Sequence, residues 1–240
     1  MRTVVIHQPN YLPGLTYFDK ITACDVFVFL DDVQYSKGNW INRNRIKGAH
    51  GAQWLTVPVA TAGRLRQRID EAAPDAATGW VERHLRTVQS CYGRAPHLRR
   101  YADLLAARLR QPWPSLAELN IALIVDCCAE LGLRPAFMRS SALAVSGSGT
   151  ERLVAICRAV GGDVYLSGPG GLNYQKPAQF AAAGIGLRLR KFVHPVYRQL
   201  HGAFEPNLSI LDLLMNEGPG AGGVLAASGS RTVELVACAA

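Results

Sequence analysis

Two short apolar segments near the start of the chain, separated by a helix-sized segment, constrain the fold most strongly. Thr3 to His7 (TVVIH) is β-branched, and Asp25 to Asp31 (DVFVFLD) is rich in Val and Phe, which is typical of strands buried on both faces. Between them, Leu15, Phe18 and Ile21 have helical spacing. A strand, a helix and a strand of this size form a βαβ unit, so we predict two parallel strands in the centre of a sheet.

The rest of the chain alternates strands and helices at both ends and is helical in the middle. Three helical segments lie between Gly79 and about Leu133, separated by Gly93–Pro96 and Pro112–Pro114. Strand-like segments occur at 53–59, 137–145, 163–168 and 187–194. We therefore predict one α/β domain over residues 1–240, with three layers, a mainly parallel sheet and a helical segment at about 79–133.

The net charge of the chain is strongly positive. It is +8, and many of the arginines fall in the helical segment. Two interpretations stay open: the arginines form solvated helix faces, or they form a basic surface that docks an acidic partner such as a carrier protein. A nucleic-acid module would interleave exposed aromatic residues with the basic ones. That pattern is missing here, so we expect no nucleic-acid partner.

Targeting and redox features point to the cytoplasm. The N-terminus MRTVVIHQPN has no long apolar region before a cleavage site, and no run of eighteen apolar residues occurs. We therefore expect neither secretion nor membrane insertion. The six cysteines form no CxxC pair and lie mostly in apolar segments, so we predict buried thiols and neither a zinc site nor disulfides.

Polar side chains follow several of the predicted strands. In an open α/β sheet, ligands bind where the carboxyl ends of the strands and their loops meet. The candidate ligand-binding residues at these ends are His7, Gln8, Asn10 and Tyr11, then Asp31, Asp32 and Gln34, then Asn173 and Tyr174, and finally His194, Tyr197 and Gln199. We expect them to converge on one edge of the sheet.

The turn HQPNYLPG after the first strand is unusually dense in rigid and hydrogen-bonding residues. Pro9 and Pro13 restrict the backbone around Asn10 and Tyr11, which would hold their side chains in fixed directions at the start of the next helix. Such rigidity favours a binding site for an anion or a carbonyl oxygen. The alternative is a helix cap whose polar groups only satisfy the backbone.

His7 is the candidate general base. A neighbouring parallel strand would bring Asp31 or Asp32 close to it, and a carboxylate beside an imidazole fixes its tautomer and raises its basicity. The alternatives are a structural hydrogen bond for His7 and, for the two aspartates, a hydrated Mg²⁺ ion bound together with a substrate phosphate.

The segment SKGNWINRNRIK forms a candidate recognition surface. Amide and guanidinium groups surround one tryptophan, and arginine is able to grip phosphate or carboxylate with two hydrogen bonds. The residues concerned are Asn39, Trp40, Asn42 and Arg43, followed by Asn44, Arg45 and Lys47. The later turn SGPGGLNY matches neither the Walker motif nor the dinucleotide fingerprint, which disfavours nucleotide binding by those mechanisms.

Eight segments follow one another along the chain: HQPNYLPG, FDKI, DVFVFLDDVQYSK, NWINRNRIK, WLTVPV, YLSG, HPVYRQ and FEPNLSILDLLMNEG. With these segments in this order, the chain resembles the WbqC-like protein family over Thr3 to about Gly218. The resemblance implies a transferase-like role on an amino sugar or related amine, in O-antigen or natural-product biosynthesis. The chain departs from the family pattern at Gly14, Thr16, Gln175 and Lys176, which implies a substrate pocket different from the family norm.

We therefore expect a transferase that moves an acyl or aminoacyl group, for example from a carrier-protein thioester, to an amine or amino sugar. In this hypothesis His7 deprotonates the amine, Asp31 or Asp32 orients His7, and Asn10 or the helix N-terminus stabilises the oxyanion. No cofactor is expected. One alternative is an Mg²⁺-dependent nucleotidyl or phosphoryl transferase, although this chain lacks the HxGH motif that a nucleotidyltransferase would use to bind phosphate. The other alternative is a non-catalytic protein that binds a sugar nucleotide.

Overall fold

A computed structural model describes residues 1–61, 63–64 and 66–238. Its strands are β1 (Thr3–His7), β2 (Val26–Phe29), β3 (Arg43–Gly48), β4 (Gly51–Thr56), β5 (Ala136–Arg139), β6 (Val164–Ser167), β7 (Gly186–Lys191) and β8 (Arg231–Val236). Its α-helices are α1 (Leu15–Ile21), α2 (Trp80–Tyr92), α3 (Leu98–Leu109), α4 (Leu116–Glu130), α5 (Gly149–Ala159), α6 (Pro177–Ala182), α7 (Ile210–Glu217) and α8 (Ala221–Ala226).

The main sheet has the strand order β5-β2-β1-β6-β7-β8. The first five strands are parallel, and β8 pairs antiparallel with β7 at one edge. Val4 of β1 lies opposite Val26 of β2, and His7 lies opposite Phe29. The predicted βαβ unit and the predicted α/β fold with a mainly parallel sheet are therefore confirmed.

Helices cover both faces of this sheet. Val4 and Ile6 of β1 pack in one core with residues of α5 and α6. Val5, which lies between them, packs in a second core with residues of α1, α4 and α7. Alternate residues of a strand point to opposite faces, so a central strand with apolar residues on both faces needs both helix layers. The predicted three layers are confirmed.

The middle helices lie where the sequence places them, as α2, α3 and α4. Ser115 caps α4, because its Oγ accepts a hydrogen bond from the backbone N–H of Glu118 at 3.2 Å. The Glu118 carboxylate does not complete a reciprocal capping box; it accepts a hydrogen bond from Arg139 of β5 at 2.5 Å. In the part of the chain that the structure describes, no helix combines the length and the apolarity needed to cross a membrane.

Two strand predictions differ from the structure. The segment predicted at 137–145 ends as a strand at Arg139, and Ser140–Ala142 forms a 3₁₀ turn. Ser140 and Ser141 explain this end, since their side chains turn to the carboxylate of Asp31 and leave the strand ladder.

The strand predicted near Pro58 lies outside the main sheet. It is β4, and it pairs antiparallel with β3 in a separate hairpin. Neither β3 nor the edge strand β8 was predicted, because their polar and charged residues lack the apolar runs that identify a buried strand. This hairpin brings the Asn- and Arg-rich segment to the carboxyl end of β1.

Candidate functional site

The turn after β1 is held by hydrogen bonds from three distant segments. Asn120 of α4 donates to the carbonyl oxygen of Pro9 at 2.8 Å. Asn44 of β3 and Ser209 donate to the carbonyl oxygen of Leu12 at 2.7 and 2.9 Å. At Gly14 an added Cβ would lie 2.8 Å from the Leu208 carbonyl oxygen, so only glycine fits. Tertiary contacts therefore fix this turn in addition to its prolines.

The turn, α1 and β3 enclose an open cleft of about 410 Å³ at the carboxyl ends of β1 and β7. Four of its lining residues were predicted as site residues: His7, Asn10, Trp40 and His194. Asn44 and Arg45 come from the predicted recognition segment. The structure adds Tyr17, Lys20 and Asn207, together with the first residues of α1.

His7 lies at the end of β1 as a neutral imidazole. Its Nδ1 lies 3.0 Å from the carbonyl oxygen of Gln8, which accepts hydrogen bonds only, so Nδ1 carries the proton and Nε2 keeps a free lone pair. Burial and, to a smaller extent, the nearby charge of Lys20 lower the pKa of His7 to about 3. The Tyr17 ring packs against it edge-on, with centroids 4.7 Å apart. At neutral pH, His7 therefore presents a proton acceptor.

Lys20 of α1 is a buried cation beside His7. Its side chain is mostly buried, and burial lowers its pKa to about 8 although the charge of Asp19 opposes the shift. Asp19 itself is engaged by Arg190 of β7, whose Nε and Nη2 each donate to its carboxylate at 2.8 Å. Within the described ranges, the Lys20 ammonium has no hydrogen-bond partner, so it keeps its donors for a ligand.

Arg45 of β3 adds a second cation. Its Nη2 lies 3.5 Å from the Asn207 carbonyl oxygen, and its buried Nε has no hydrogen-bond partner among residues 1–61, 63–64 and 66–238. No acidic residue of these ranges lines the cleft. A site with two cations and no carboxylate favours an anionic group on its ligand.

His194 orders the opposite wall of the cleft. Its Nδ1 donates to the carbonyl oxygen of Pro195 at 2.8 Å, and its Nε2 accepts from the backbone N–H of Asn207 at 3.2 Å. Both ring nitrogens are thus used within the protein. His194 therefore positions the segment 194–207, and it offers a ligand a ring surface without a free nitrogen.

Three predicted site residues lie in internal networks. Tyr11 is fully buried, and its hydroxyl lies 3.0 Å from Nδ1 of His84. Tyr197 and Gln199 both donate to one carboxylate oxygen of the buried Asp212 at 2.8 Å. These contacts give the three side chains a role in packing the chain.

The other predicted residues surround the cleft or lie apart from it. The Gln8 carbonyl binds both His7 and the Tyr17 hydroxyl. Asn42 is buried and donates to the Val57 carbonyl oxygen, whereas the exposed Asn39 accepts from the Trp40 backbone. Arg43 stacks on Trp54, and the remaining three, Gln34, Asn173 and Tyr174, are exposed and do not line the cleft.

The structure places Asp31 and Asp32 in contacts other than the expected one with His7. Asp31 is fully buried and accepts from Ser140 Oγ, Ser141 N and Ser141 Oγ at 2.8–3.2 Å. Asp32 forms an ion pair with Arg152 of α5. In the described chain no carboxylate contacts His7, and the Gln8 carbonyl orients the ring instead.

The same contacts bear on the Mg²⁺ alternative. The Asp32 charge is neutralised by Arg152, and the Asp31 oxygens are already filled by serine donors. A Mg²⁺ ion needs such oxygens free and a net negative site. Over the residues that the structure describes, no group of three or more His, Cys, Asp or Glu side chains is arranged to hold a metal. The two aspartates therefore do not fit this ion.

Sequence reasoning missed Tyr17, Lys20 and Asn207. A usable signal was the placement of Lys20 three residues after Tyr17 in a short helix, which puts both on one helix face. Asn207 gives no local signal, because the 194–207 segment reaches the cleft only through its contacts with β3.

A comparison with protein-family models matches residues 8–223 to the WbqC-like protein family. The chain belongs to this family. The match contains every cleft-lining residue except His7, which directly precedes it. This WbqC-like chain is 39% identical over 222 residues to Rv1507c, an uncharacterised protein of Mycobacterium tuberculosis, with 91% of this chain and 95% of that protein covered. No solved structure matches the WbqC-like chain.

Proposed function

We propose that this WbqC-like protein is a biosynthetic transferase that moves an acyl or aminoacyl group to the amine of a small molecule such as an amino sugar. The observation that carries the proposal is a neutral His7 imidazole that lines a cleft with two cations and keeps its Nε2 lone pair. An imidazole with an unprotonated Nε2 is in the form that a general base needs to take a proton from an attacking amine.

The chemistry follows from these positions. The amine nitrogen attacks the carbonyl carbon of the donor thioester, and His7 Nε2 takes the proton that the nitrogen loses. The C–S bond then breaks, an amide forms, and the departing sulfur receives the proton. Asn10 and Lys20 line the same cleft and supply donors for the negative charge that develops on the carbonyl oxygen. The thioester supplies the activation, so the proposal uses no cofactor.

Arg45 would bind an anionic group of the substrate. Its Nε has no hydrogen-bond partner in the described chain, and a hydrogen bond to a charged group contributes about 1.5–3 kcal/mol. Its role would be to hold the substrate so that its amine faces His7.

We expect Arg45→Gln to raise KM for the amine substrate about 10-fold or more while kcat changes little, because the lost contact is made equally in the bound substrate and the transition state. Steady-state kinetics at low and high salt would measure this. Arg188→Gln, on β7 and outside the cleft, is the matched control. Unchanged KM in Arg45→Gln would contradict the anion-binding role.

A donor carried on an acidic protein would need a basic docking surface, and the exposed arginines of α2 are the candidates for it. Arg100, Arg108 and Arg110 are paired with Glu130, Asp126 and Glu82. Arg83 and Arg86 instead are exposed and line a shallow surface groove with Gln53 of the hairpin. We propose that these two arginines dock the carrier.

Reversing Arg83 and Arg86 to Glu is expected to weaken carrier binding at least 10-fold in a salt-dependent manner, with turnover of a small thioester surrogate unchanged. Titration of the carrier by fluorescence anisotropy and parallel turnover assays would measure both. Arg158→Glu, which lies on α5 across the sheet, is the control. Equal loss with both donors would argue against docking on α2.

A further inference from the structure

Two exposed tryptophans flank the cleft, and the proposed chemistry does not use them. The exposed fractions of Trp40 and Trp54 are 44% and 45%. Their ring centroids lie 5.6 Å apart with a 42° angle between the planes. Adjacent indole rings in water leave a large apolar area unburied, and such a patch typically marks a binding surface.

Arg43 extends this surface. Its guanidinium carbon lies 4.2 Å from the centroid of the Trp54 ring, in stacking contact. Trp40, Trp54 and Arg43 together form what we term the tryptophan ledge. Each indole ring of the ledge has a flat π face, and Arg43 adds a positive charge at one side, which complements a planar, electron-rich ring.

The ledge is continuous with the cationic cleft. Trp40 lines the cleft itself, and Trp54 of β4 lies opposite Arg45 of β3 in the hairpin register. The Arg45 guanidinium carbon is 5.9 Å from the Trp54 ring centroid. If a ligand stacks a flat ring on the ledge, the group attached to that ring would therefore lie near Arg45.

We propose that the tryptophan ledge is a stacking subsite for the nucleobase of a nucleoside diphosphate, with the diphosphate bound at Arg45. This inference rests on the proposed function, and it specifies that the amine acceptor is a sugar carried on a nucleotide. The order along the surface is then nucleobase on the ledge, diphosphate at Arg45 and amino sugar toward His7.

The surroundings favour a nucleotide over a free sugar. Every nucleobase has a flat face that stacks on an aromatic side chain, whereas a sugar ring also needs hydrogen bonds to its hydroxyl groups. Carboxylates, a common source of such bonds, are missing from the described lining of the cleft. The cations found there match a diphosphate, and the same cations would not select an uncharged sugar.

Titration of intrinsic tryptophan fluorescence with uridine, thymidine and guanosine diphosphates, and with pyrophosphate, tests the subsite. We expect the nucleoside diphosphates to quench the fluorescence and to bind about 10-fold more tightly than pyrophosphate, because stacking on one aromatic contributes about that factor. Trp54→Ala should remove this advantage, and Trp54→Phe should keep it. Arg45→Gln should weaken all four ligands.

Controls separate the subsite from folding and from catalysis. Trp54 is partly exposed at the surface of the hairpin, and circular dichroism would verify that the variants fold. Trp113→Phe, which removes a partly buried tryptophan between α3 and α4, should leave the affinities unchanged. His7→Gln should leave nucleotide affinity unchanged, so a failure of the acyl-transfer proposal would appear in turnover and not in these titrations.

Three results would overturn the subsite. The first is equal affinity for pyrophosphate and the nucleoside diphosphates. The second is a nucleoside advantage that persists in Trp54→Ala. Quenching by a free amino sugar with an affinity equal to that of the nucleotides would also reject it, because the ledge would then bind the sugar. None of these results would affect the test of His7 as the base.

Discussion

His7→Gln is expected to lower kcat about 100-fold or more while the protein folds normally, since a positioned proton acceptor typically contributes this much to the rate. Glutamine is able to donate to the Gln8 carbonyl oxygen in place of Nδ1, which preserves the local hydrogen bond. It has no basic nitrogen to replace Nε2. Turnover, ligand affinity and melting temperature, measured on the same variant, would report the outcome.

The three measurements separate the competing roles of His7. A large loss of turnover with normal affinity and stability supports the general base. If the protein only binds a sugar nucleotide, affinity changes and the wild type shows no turnover to lose. A structural role would lower the melting temperature instead. His50→Gln, at the exposed turn of the hairpin, is the matched control, and wild-type turnover in His7→Gln would rule out the base.

The low pKa of His7 also predicts the pH dependence. In the folded protein this pKa is about 3, against 6.5 in the unfolded chain, so between these values only the unfolded chain binds the proton. His7 therefore contributes stability above pH 6.5 that is lost as the pH falls toward 3. It also stays neutral as a base, so we expect no acidic fall in kcat/KM centred near pH 6.5. A fall with that midpoint would contradict a desolvated His7.

Asp19→Ala is expected to lower the free energy of unfolding by about 3–5 kcal/mol, because it leaves the charge of Arg190 buried without its partner. Asp19 is fully buried in α1, and Arg190 of β7 grips it with two hydrogen bonds. This pair ties α1, and with it Lys20 and Tyr17, to the sheet. Urea denaturation would measure the loss.

The sheet offers a matched control for this prediction. Arg188, on the same strand, pairs with Glu234 of β8 at 3.4 Å, and both side chains are partly exposed. Glu234→Ala should cost less than about 1 kcal/mol, as exposed ion pairs do. The double variant Asp19→Leu with Arg190→Met removes both charges and should recover much of the loss. A cost for Asp19→Ala similar to that of Glu234→Ala would refute the anchoring role.

Much of the fold could be predicted because its central strands are buried on both faces. This burial appears in the sequence as short apolar runs at β1, β2 and β6. The three middle helices are visible from their hydrophobic periodicity and from the Gly and Pro residues at their boundaries. The short α1 was predicted from the same kind of local pattern. Edge and hairpin strands have no such apolar runs, so β3 and β8 were missed.

The candidate site was predictable only in part, for a related reason. Sequence alone determined that polar residues follow the strands and that the turn after β1 is rigid, because strand ends and prolines are local features. Only the tertiary structure decided that His7, Lys20 and Arg45 line one cleft, while Asp31 and Asp32 bind Ser140, Ser141 and Arg152. Those pairings join residues distant in the sequence, and the packing of α1, the hairpin and the 194–207 segment selects among partners that are chemically equivalent in the sequence.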